Sequence, residues 1–388
     1  MPSLLVASTV PAFIRAFLIP YARYFRAQGW RVDAIANGIT SDKECSSAFD
    51  RVWDVNWSRN PLDPLNFVQA PAAVRRIVAD GGYDIVHVHT PVAGTVCRYA
   101  LRKRPGPVRI YTAHGFHFHE KGSRIKSAVF AAVEKLAGRW TDYLVVINRF
   151  DENAARQKAL VDSSRLIFMP GIGVDTEWKY NPRSITMREV NACRESIQLA
   201  PEDRMVLMVA EFIPRKRHTD ALHAFKRLND KNATLVFAGA GPTMSAMQQL
   251  SKQLGLEGRV RFLGFRRDIA VLMKAAQILL LCSIQEGLPR SIMEALSLEV
   301  PVVASDIRGN RELLEGGAGY LYPVGDIEAL AQILEDALGN PAKALGQAKI
   351  GRERMAKNDL RGIIAQHEQL YTEALQDSHR LVEASAAC

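Results

Sequence analysis

Short apolar runs alternate with helical patterns twice over along this chain of 388 residues, and that doubled rhythm restricts the folds open to it. Residues 4–8 read as a strand, residues 13–28 carry apolar side chains at helical spacing up to Gly29, and residues 31–36 form the next strand. Residues 85–89, 108–112 and 143–147 read as further buried strands. The pattern then restarts. Candidate strands at 205–209, 234–238, 260–263, 278–282 and 302–304 are separated by helical segments at 218–229, 243–254, 268–276 and 289–297. Continuous apolar strands between helices imply βαβ units and a parallel sheet covered on both faces. Two such runs, in a chain too long for one ordinary core, predict two α/β domains with ligand chemistry at the strand C-termini. The stretch 173–183 holds Gly, Asp, Asn and Pro without strong periodicity and is the expected junction. Residues 326–338 and 359–375 look helical, and 378–388 read as a loose tail.

Several classes of protein are disfavoured. No run of roughly 18 apolar residues appears, so a membrane-spanning helix is not expected. The start, Met1-Pro-Ser-Leu-Leu-Val, lacks a basic region and reads as a first strand rather than a leader. Cys45, Cys97, Cys193, Cys282 and Cys388 are odd in number and scattered, with no CxxC spacing. That argues against a disulfide framework and a zinc site, and makes a reducing cytoplasm the expected home. The net charge of +9 is concentrated early: residues 1–180 carry 24 Lys and Arg against 16 Asp and Glu. A basic half suits an anionic substrate or an anionic membrane face. No nucleic-acid-binding motif accompanies it, so nucleic acid is not an expected partner.

The segment Glu286-Gly-Leu-Pro-Arg-Ser-Ile-Met-Glu294 carries the most chemistry. Pro289 suits the first turn of a helix, where its missing N–H costs nothing. Glu286 is then expected on the loop entering the helix, and Glu294 within its first two turns. The free N–H groups and dipole between them favour a phosphate. Carboxylates on either side of a phosphate suit a ligand with hydroxyls at both ends, as in a nucleotide sugar. An ordinary helix start with acidic neighbours is the alternative.

This element resembles the donor-site signature of retaining GT-B glycosyltransferases, in particular glycosyltransferase family 4. The resemblance extends through Thr112-Ala-His-Gly-Phe-His-Phe118, Pro170-Gly-Ile-Gly-Val-Asp-Thr176, Ala210-Glu-Phe-Ile-Pro-Arg-Lys216 and Phe237-Ala-Gly-Ala-Gly-Pro242. It continues in Phe262-Leu-Gly-Phe265, Pro301-Val-Val-Ala-Ser305, Gly309-Asn-Arg-Glu312 and Gly319-Tyr-Leu-Tyr-Pro-Val-Gly325. Each motif alone is weak, whereas all in this order are specific. The resemblance implies a GT-B fold: two Rossmann-like domains facing a cleft, with a C-terminal helix crossing back to the first. The implied N-terminal acceptor domain is 1–178 with 360–388, and the donor domain is 179–359.

The implied activity is metal-independent, retaining transfer of a hexose or N-acetylhexosamine from a nucleotide sugar, with UDP the first choice. The implied acceptor is a glycan or polyprenyl-diphosphate-linked sugar in bacterial capsule, exopolysaccharide or O-antigen assembly. The nucleotide sugar is a substrate, so no cofactor is expected, and no Asp-x-Asp sequence is present to hold a metal ion. By the same resemblance His114 contacts the donor sugar and stabilises the transition state, and Glu286 binds the sugar hydroxyls. Glu294 binds the ribose, Lys216 and Arg215 the diphosphate, Gly287 and Leu288 sugar or phosphate, and Gly264 with Phe265 lie near the base. Gly241 is expected to be structural, serving a tight strand-to-helix turn. His117 and His119 beside His114 raise a metal-site alternative, weakened by the lack of accompanying carboxylates.

Two departures stand out. Many members of the family have Gly-Arg where this chain has Ala210-Glu211, which leaves Arg215 as the substitute phosphate ligand. Many relatives have a glycine-rich turn after the first strand, where this chain has Ser8-Thr-Val-Pro11 and no glycine until Gly29; Thr9 and Arg15 are the expected acceptor-side residues. The segment 13–26 is amphipathic and basic (Arg15, Arg23 and Arg26) and suits either the core or peripheral contact with the inner membrane surface. A sugar-nucleotide epimerase of the same architecture and a non-catalytic sugar-nucleotide-binding scaffold are the rival functions.

Overall fold

The computed structural model describes residues 1–58, 60–61, 63–103, 106–116, 118 and 124–386. The chain divides into two compact units, one of Met1–Ile172 with Ile363–Cys388 and one of Gly173–Gly362. In the first unit β1 (Ser3–Ala7), β2 (Arg31–Ala36), β3 (Val52–Asp54), β4 (Ile85–His89), β5 (Val108–Ala113), β6 (Tyr143–Val146) and β7 (Leu166–Phe168) form one sheet. Its order is β3-β2-β1-β4-β5-β6-β7, with every pairing parallel. All residues of β1, β4 and β5 are buried, as expected for strands covered on both faces.

The second unit repeats the plan with β8 (Arg204–Val209), β9 (Ala233–Ala238), β10 (Val260–Phe262), β11 (Ile278–Leu281), β12 (Val302–Ser305) and β13 (Tyr320–Tyr322). Its order is β10-β9-β8-β11-β12-β13, again all parallel. Strand order reverses between β1 and β4 in one unit and between β8 and β11 in the other. Loops leaving the carboxyl ends of strands beside such a reversal diverge to opposite faces and leave a crevice, the usual ligand position of open α/β sheets.

Three local expectations change. The segment expected as one helix over 13–28 is helical in three pieces: Pro11–Phe13, a π-helical turn Ile14–Leu18, and Ile19–Ala27. Pro20 is the cause, because it cannot donate to the helix, and the wider turn just before it, closed by Ile19 N–H on the Ile14 carbonyl, absorbs the lost register. Of the expected loose tail at 378–388, residues 378–386 are instead the end of a helix, Leu360–Ala386, and the last two lie outside the described residues. No Gly or Pro interrupts that helix after Gly362, and the Tyr143 hydroxyl donates to Asp377 at 2.7 Å. Pro289 caps its helix from outside rather than standing in the first turn.

The C-terminal helix supplies one wall of the first unit. Tyr371 bonds His87 of β4 at 2.6 Å, Glu368 accepts from Tyr24 at 2.9 Å, and His367 meets the Tyr21 ring edge-on at 5.0 Å. Among the described residues no helix is long and apolar enough to cross a membrane.

Candidate functional site

In the second unit the loop after β11 reaches Pro289, whose carbonyl accepts the Met293 N–H at 3.3 Å as the helix Arg290–Ser297 begins. Pro289, at the N-cap, has no side-chain acceptor to offer the first-turn N–H groups, and such a helix start suits an anion. Two ion pairs flank this helix start. Lys216, ending the short 3-10 turn Pro214–Lys216 after β8, bonds Glu286, and both side chains are largely buried. Arg290 Nε donates to Glu294 Oε1 at 2.7 Å one turn along the helix. Burial, followed by the Glu294 charge, pushes the neighbouring Tyr180 phenol well above its usual range.

The sequence reading gave roles to Lys216, Glu286 and Glu294, but none to Arg290, which stands within the Glu286–Glu294 segment, or to Tyr180. The i, i+4 spacing of Arg290 and Glu294 was a legible signal. Tyr180, more than a hundred residues from Glu294, had none.

Arg215 is exposed, and its carbonyl accepts the Ile284 N–H at 2.9 Å, which ties the Lys216 turn to the Glu286 loop. Glu211 is also exposed. His218 is buried, stacks on Phe212 at 4.1 Å, and neither ring nitrogen has a hydrogen-bond partner among the described residues. Burial, with the Lys216 charge second, lowers its pKa to about 4, so it is neutral near pH 7.

The Glu286 loop is held from behind. Ser305 Oγ donates to the Ser283 carbonyl at 2.5 Å, and Asn310 Nδ2 to the Ser305 carbonyl at 2.8 Å. Gly309 lies so close that a Cβ there would stand 2.3 Å from the Gly287 oxygen. Gly241 has φ +156, and a Cβ on it would stand 2.5 Å from the Phe212 oxygen, a structural demand for glycine. Gly287 and Leu288 are half-buried, while Gly264 accepts from the Gly239 N–H at 2.8 Å beside the exposed Phe265.

In the first unit His114 follows β5 and is half-buried. Its Nε2 lies 3.0 Å from Nδ1 of His89 on β4, and the Phe13 ring meets it edge-on at 4.8 Å. Behind this pair, His87 is bonded on both sides, to Tyr371 at 2.6 Å and to Thr112 at 2.7 Å. A cavity of about 20 Å³, room for one water, is lined by these rings together with Tyr21 and His367.

Burial, then the charge of His367, lowers the His114 pKa to about 3, and burial lowers His367 to about 4. Burial likewise holds His87 and His89 well below the ordinary histidine range. The cluster is therefore neutral imidazole at physiological pH. His117 and His119, the other histidines of the motif, lie outside the described residues. Among the described residues no three His, Cys, Asp or Glu side chains form a metal-holding group.

The acceptor-side candidates are engaged within the protein. Thr9 Oγ1 and Thr90 Oγ1 are 2.7 Å apart, and the Thr9 N–H donates to Thr90 at 3.0 Å, joining the loops after β1 and β4. Thr90 adopts φ +70, uncommon for a β-branched residue, and no sequence signal marked it. Arg15 pairs with Asp42.

Both halves match established family models: residues 18–171 the glycosyl transferase 4-like domain, and residues 190–358 the glycosyl transferases group 1 domain. EpsD of Bacillus subtilis (strain 168), named as a glycosyltransferase, is 34% identical over 353 residues, spanning 89% of this chain and 90% of EpsD. An Escherichia coli UDP-Gal:alpha-D-GlcNAc-diphosphoundecaprenol alpha-1,3-galactosyltransferase is 28% identical over 268 residues, 66% of this chain and 68% of the relative. Among solved structures, Anabaena HepE in complex with UDP and glucose superposes with a TM-score of 0.80 at 21% identity, covering 96% of this chain and 100% of HepE. With two parallel-sheet units, both family domains in order and a full-length relative, the chain belongs to the GT-B glycosyltransferases of the glycosyl transferase 4-like and group 1 type.

Proposed function

We propose that the protein is a retaining, metal-independent glycosyltransferase that moves a sugar from a UDP-sugar to a glycan or polyprenyl-diphosphate-linked acceptor during bacterial surface polysaccharide synthesis. The carrying observation is the pair of ion pairs, Lys216 with Glu286 and Arg290 with Glu294, flanking a helix start whose N-cap is Pro289, without a side-chain acceptor. Each pair sets a cation beside a carboxylate. The cations suit a diphosphate and the carboxylates suit sugar and ribose hydroxyls. The names of two similar proteins point the same way, one in complex with UDP and glucose and one using UDP-Gal on a diphosphoundecaprenol-linked sugar.

On this reading the Gly173–Gly362 unit binds the donor. Lys216 and Arg215, with the N–H groups of the 290–297 helix, take the diphosphate as its charge develops. Glu286 holds the sugar, with Gly287 and Leu288 alongside, and Glu294 holds the ribose. Gly264 and Phe265 serve the base, and the exposed Phe265 ring offers it a stacking face. The C1–phosphate bond breaks and the acceptor oxygen bonds C1 on the same face, while the acceptor proton passes to the departing diphosphate. His114 stays neutral and, with Nε2 committed to His89, offers Nδ1 to the reacting sugar. The first unit receives the acceptor near Thr9 and Arg15, and the work is done in the cytoplasm.

The test is nucleoside-diphosphate release from UDP-, GDP- and ADP-sugars with acceptor, with and without EDTA, using Glu286→Ala as control. Release from UDP-sugars, insensitive to EDTA and lost in the variant, is expected. Binding of UDP without turnover would establish the scaffold, and a C2 epimer without transfer the epimerase. Inversion at C1 of the product would overturn the retaining assignment.

A further inference from the structure

The helix Arg124–Gly138 presents apolar side chains on both sides. Phe130 and Ala131 pack on the core of the first unit, and Glu134 pairs with the buried Arg98 at 2.9 Å. On the outer face Ile125, Val129, Val133 and Leu136 are 79%, 57%, 40% and 48% exposed. Their spacing of four, four and three residues makes one continuous stripe, filled between by the exposed Ala128 and Ala132. Three turns of exposed apolar side chain, about 16 Å long, are unusual on a soluble surface and mark an interaction face.

The surroundings of the stripe identify what it meets. Lys135 is exposed along one flank and Arg139 just past the helix end. Glu134 is the one acidic residue of the helix Arg124–Gly138, and it is occupied with Arg98. The face continues beyond the helix. Trp140 packs at 5.7 Å against Tyr99, over which Arg102 lies at 4.1 Å. Tyr99 in turn borders a groove of about 920 Å³ whose walls include the exposed Phe67 and Val68, with Arg75 and Lys103.

Aliphatic side chains, an aromatic pair and a net positive rim are the composition of a surface that lies in an interfacial plane beneath anionic headgroups. We infer that this face docks the protein on an anionic lipid bilayer, with the 125–136 stripe inserted among the headgroups and the cations on the phosphates. The inference rests on the lipid-linked-acceptor reading for its purpose, but not for its test. It moves the membrane contact away from the N-terminal helical segment. There the apolar face, with Ile14, Leu18 and Phe25, is buried, while Arg15 and Arg26 pair with Asp42 and Asp50.

The experiment is co-sedimentation of the full chain with phosphatidylcholine vesicles, alone or with about one-third phosphatidylglycerol, at low and high salt. Binding to the anionic vesicles, weakened by salt, is expected. Val129→Asp with Val133→Asp should reduce it by at least about tenfold, with melting temperature and UDP affinity unchanged. Lys135→Gln with Arg139→Gln should weaken it by a smaller factor with the apolar stripe intact.

The inference falls if the wild type stays in the supernatant or if the Asp variant sediments like it. It also falls if the wild type is a dimer in solution that the Asp variant dissociates, because the stripe would then join two copies. UDP binding, measured without vesicles on the same samples, separates failure of this inference from failure of the donor assignment.

Discussion

Lys216 and Glu286 are 70 residues apart and meet as a largely buried ion pair. Removing one partner strands the other charge, so Lys216→Ala should cost about 3 kcal/mol of stability as well as UDP affinity. Adding Glu286→Gln should restore much of the stability and none of the turnover, which a thermal melt beside a release assay would resolve. Arg290→Ala frees the Glu294 carboxylate without removing it. If Glu294 holds ribose, Glu294→Ala should lose at least about tenfold in UDP affinity and Arg290→Ala less, as titration calorimetry would report. His114→Ala should lower turnover by about a hundredfold or more with little change in donor affinity. Full activity in that variant would remove its role. The motifs made Lys216, Glu286, Glu294 and His114 visible, because each stands in a recognisable local string. Tyr180 beside Glu294 and His89 beside His114 stayed hidden, as did Thr90 beside Thr9. Pairing across a sheet or between distant loops leaves no local spacing to read.

At the scale of elements, the loop carrying Glu286 depends on what stands behind it. The Gly309 site has no room for a methyl group, since a Cβ would press on the Gly287 carbonyl and both sides of the contact are backbone. Gly309→Ala should therefore displace the loop and cost about 1–3 kcal/mol, with donor affinity falling more than stability predicts. Asn310→Ala, which removes one of the two bonds that the Ser305 carbonyl accepts, should act in the same direction but more weakly. The central strands were legible because full burial makes them uninterrupted apolar runs. Of the four edge strands, each three residues long, β10 fell within the expected strand at 260–263, whereas β3, β7 and β13 went unread, three residues being too few for a period to show. The π-turn at Ile14–Leu18 was missed because apolar spacing reports which face is buried, not how each N–H is satisfied. Pro20 was the available clue.

For the whole molecule, the buried imidazoles set an acid limit. His87, His89, His114 and His367 have folded pKa values below that of an unfolded histidine, near 6.5. Below that pH the unfolded chain takes up protons that the folded chain does not, so stability is full above about pH 6.5 and falls on acidification. The slope approaches about 1.4 kcal/mol per pH unit for each histidine until its folded pKa is reached. Melting temperature should drop steeply from about pH 6.5 to about pH 4, and His367→Asn should flatten the curve. The two-unit plan was readable from the repeated rhythm of strands and helices. The buried polar heart of the first unit was not, because His367 and Tyr371 reach it from the far end of the chain. That return has a consequence for synthesis. A ribosome releases residues 1–172 long before residues 363–386, so His87 waits for Tyr371 while the whole Gly173–Gly362 unit is made. The second unit can complete its core as it emerges, whereas the first must linger with an open wall. An arrested chain ending near Gly362 should therefore be protease-sensitive in its first unit and resistant in its second.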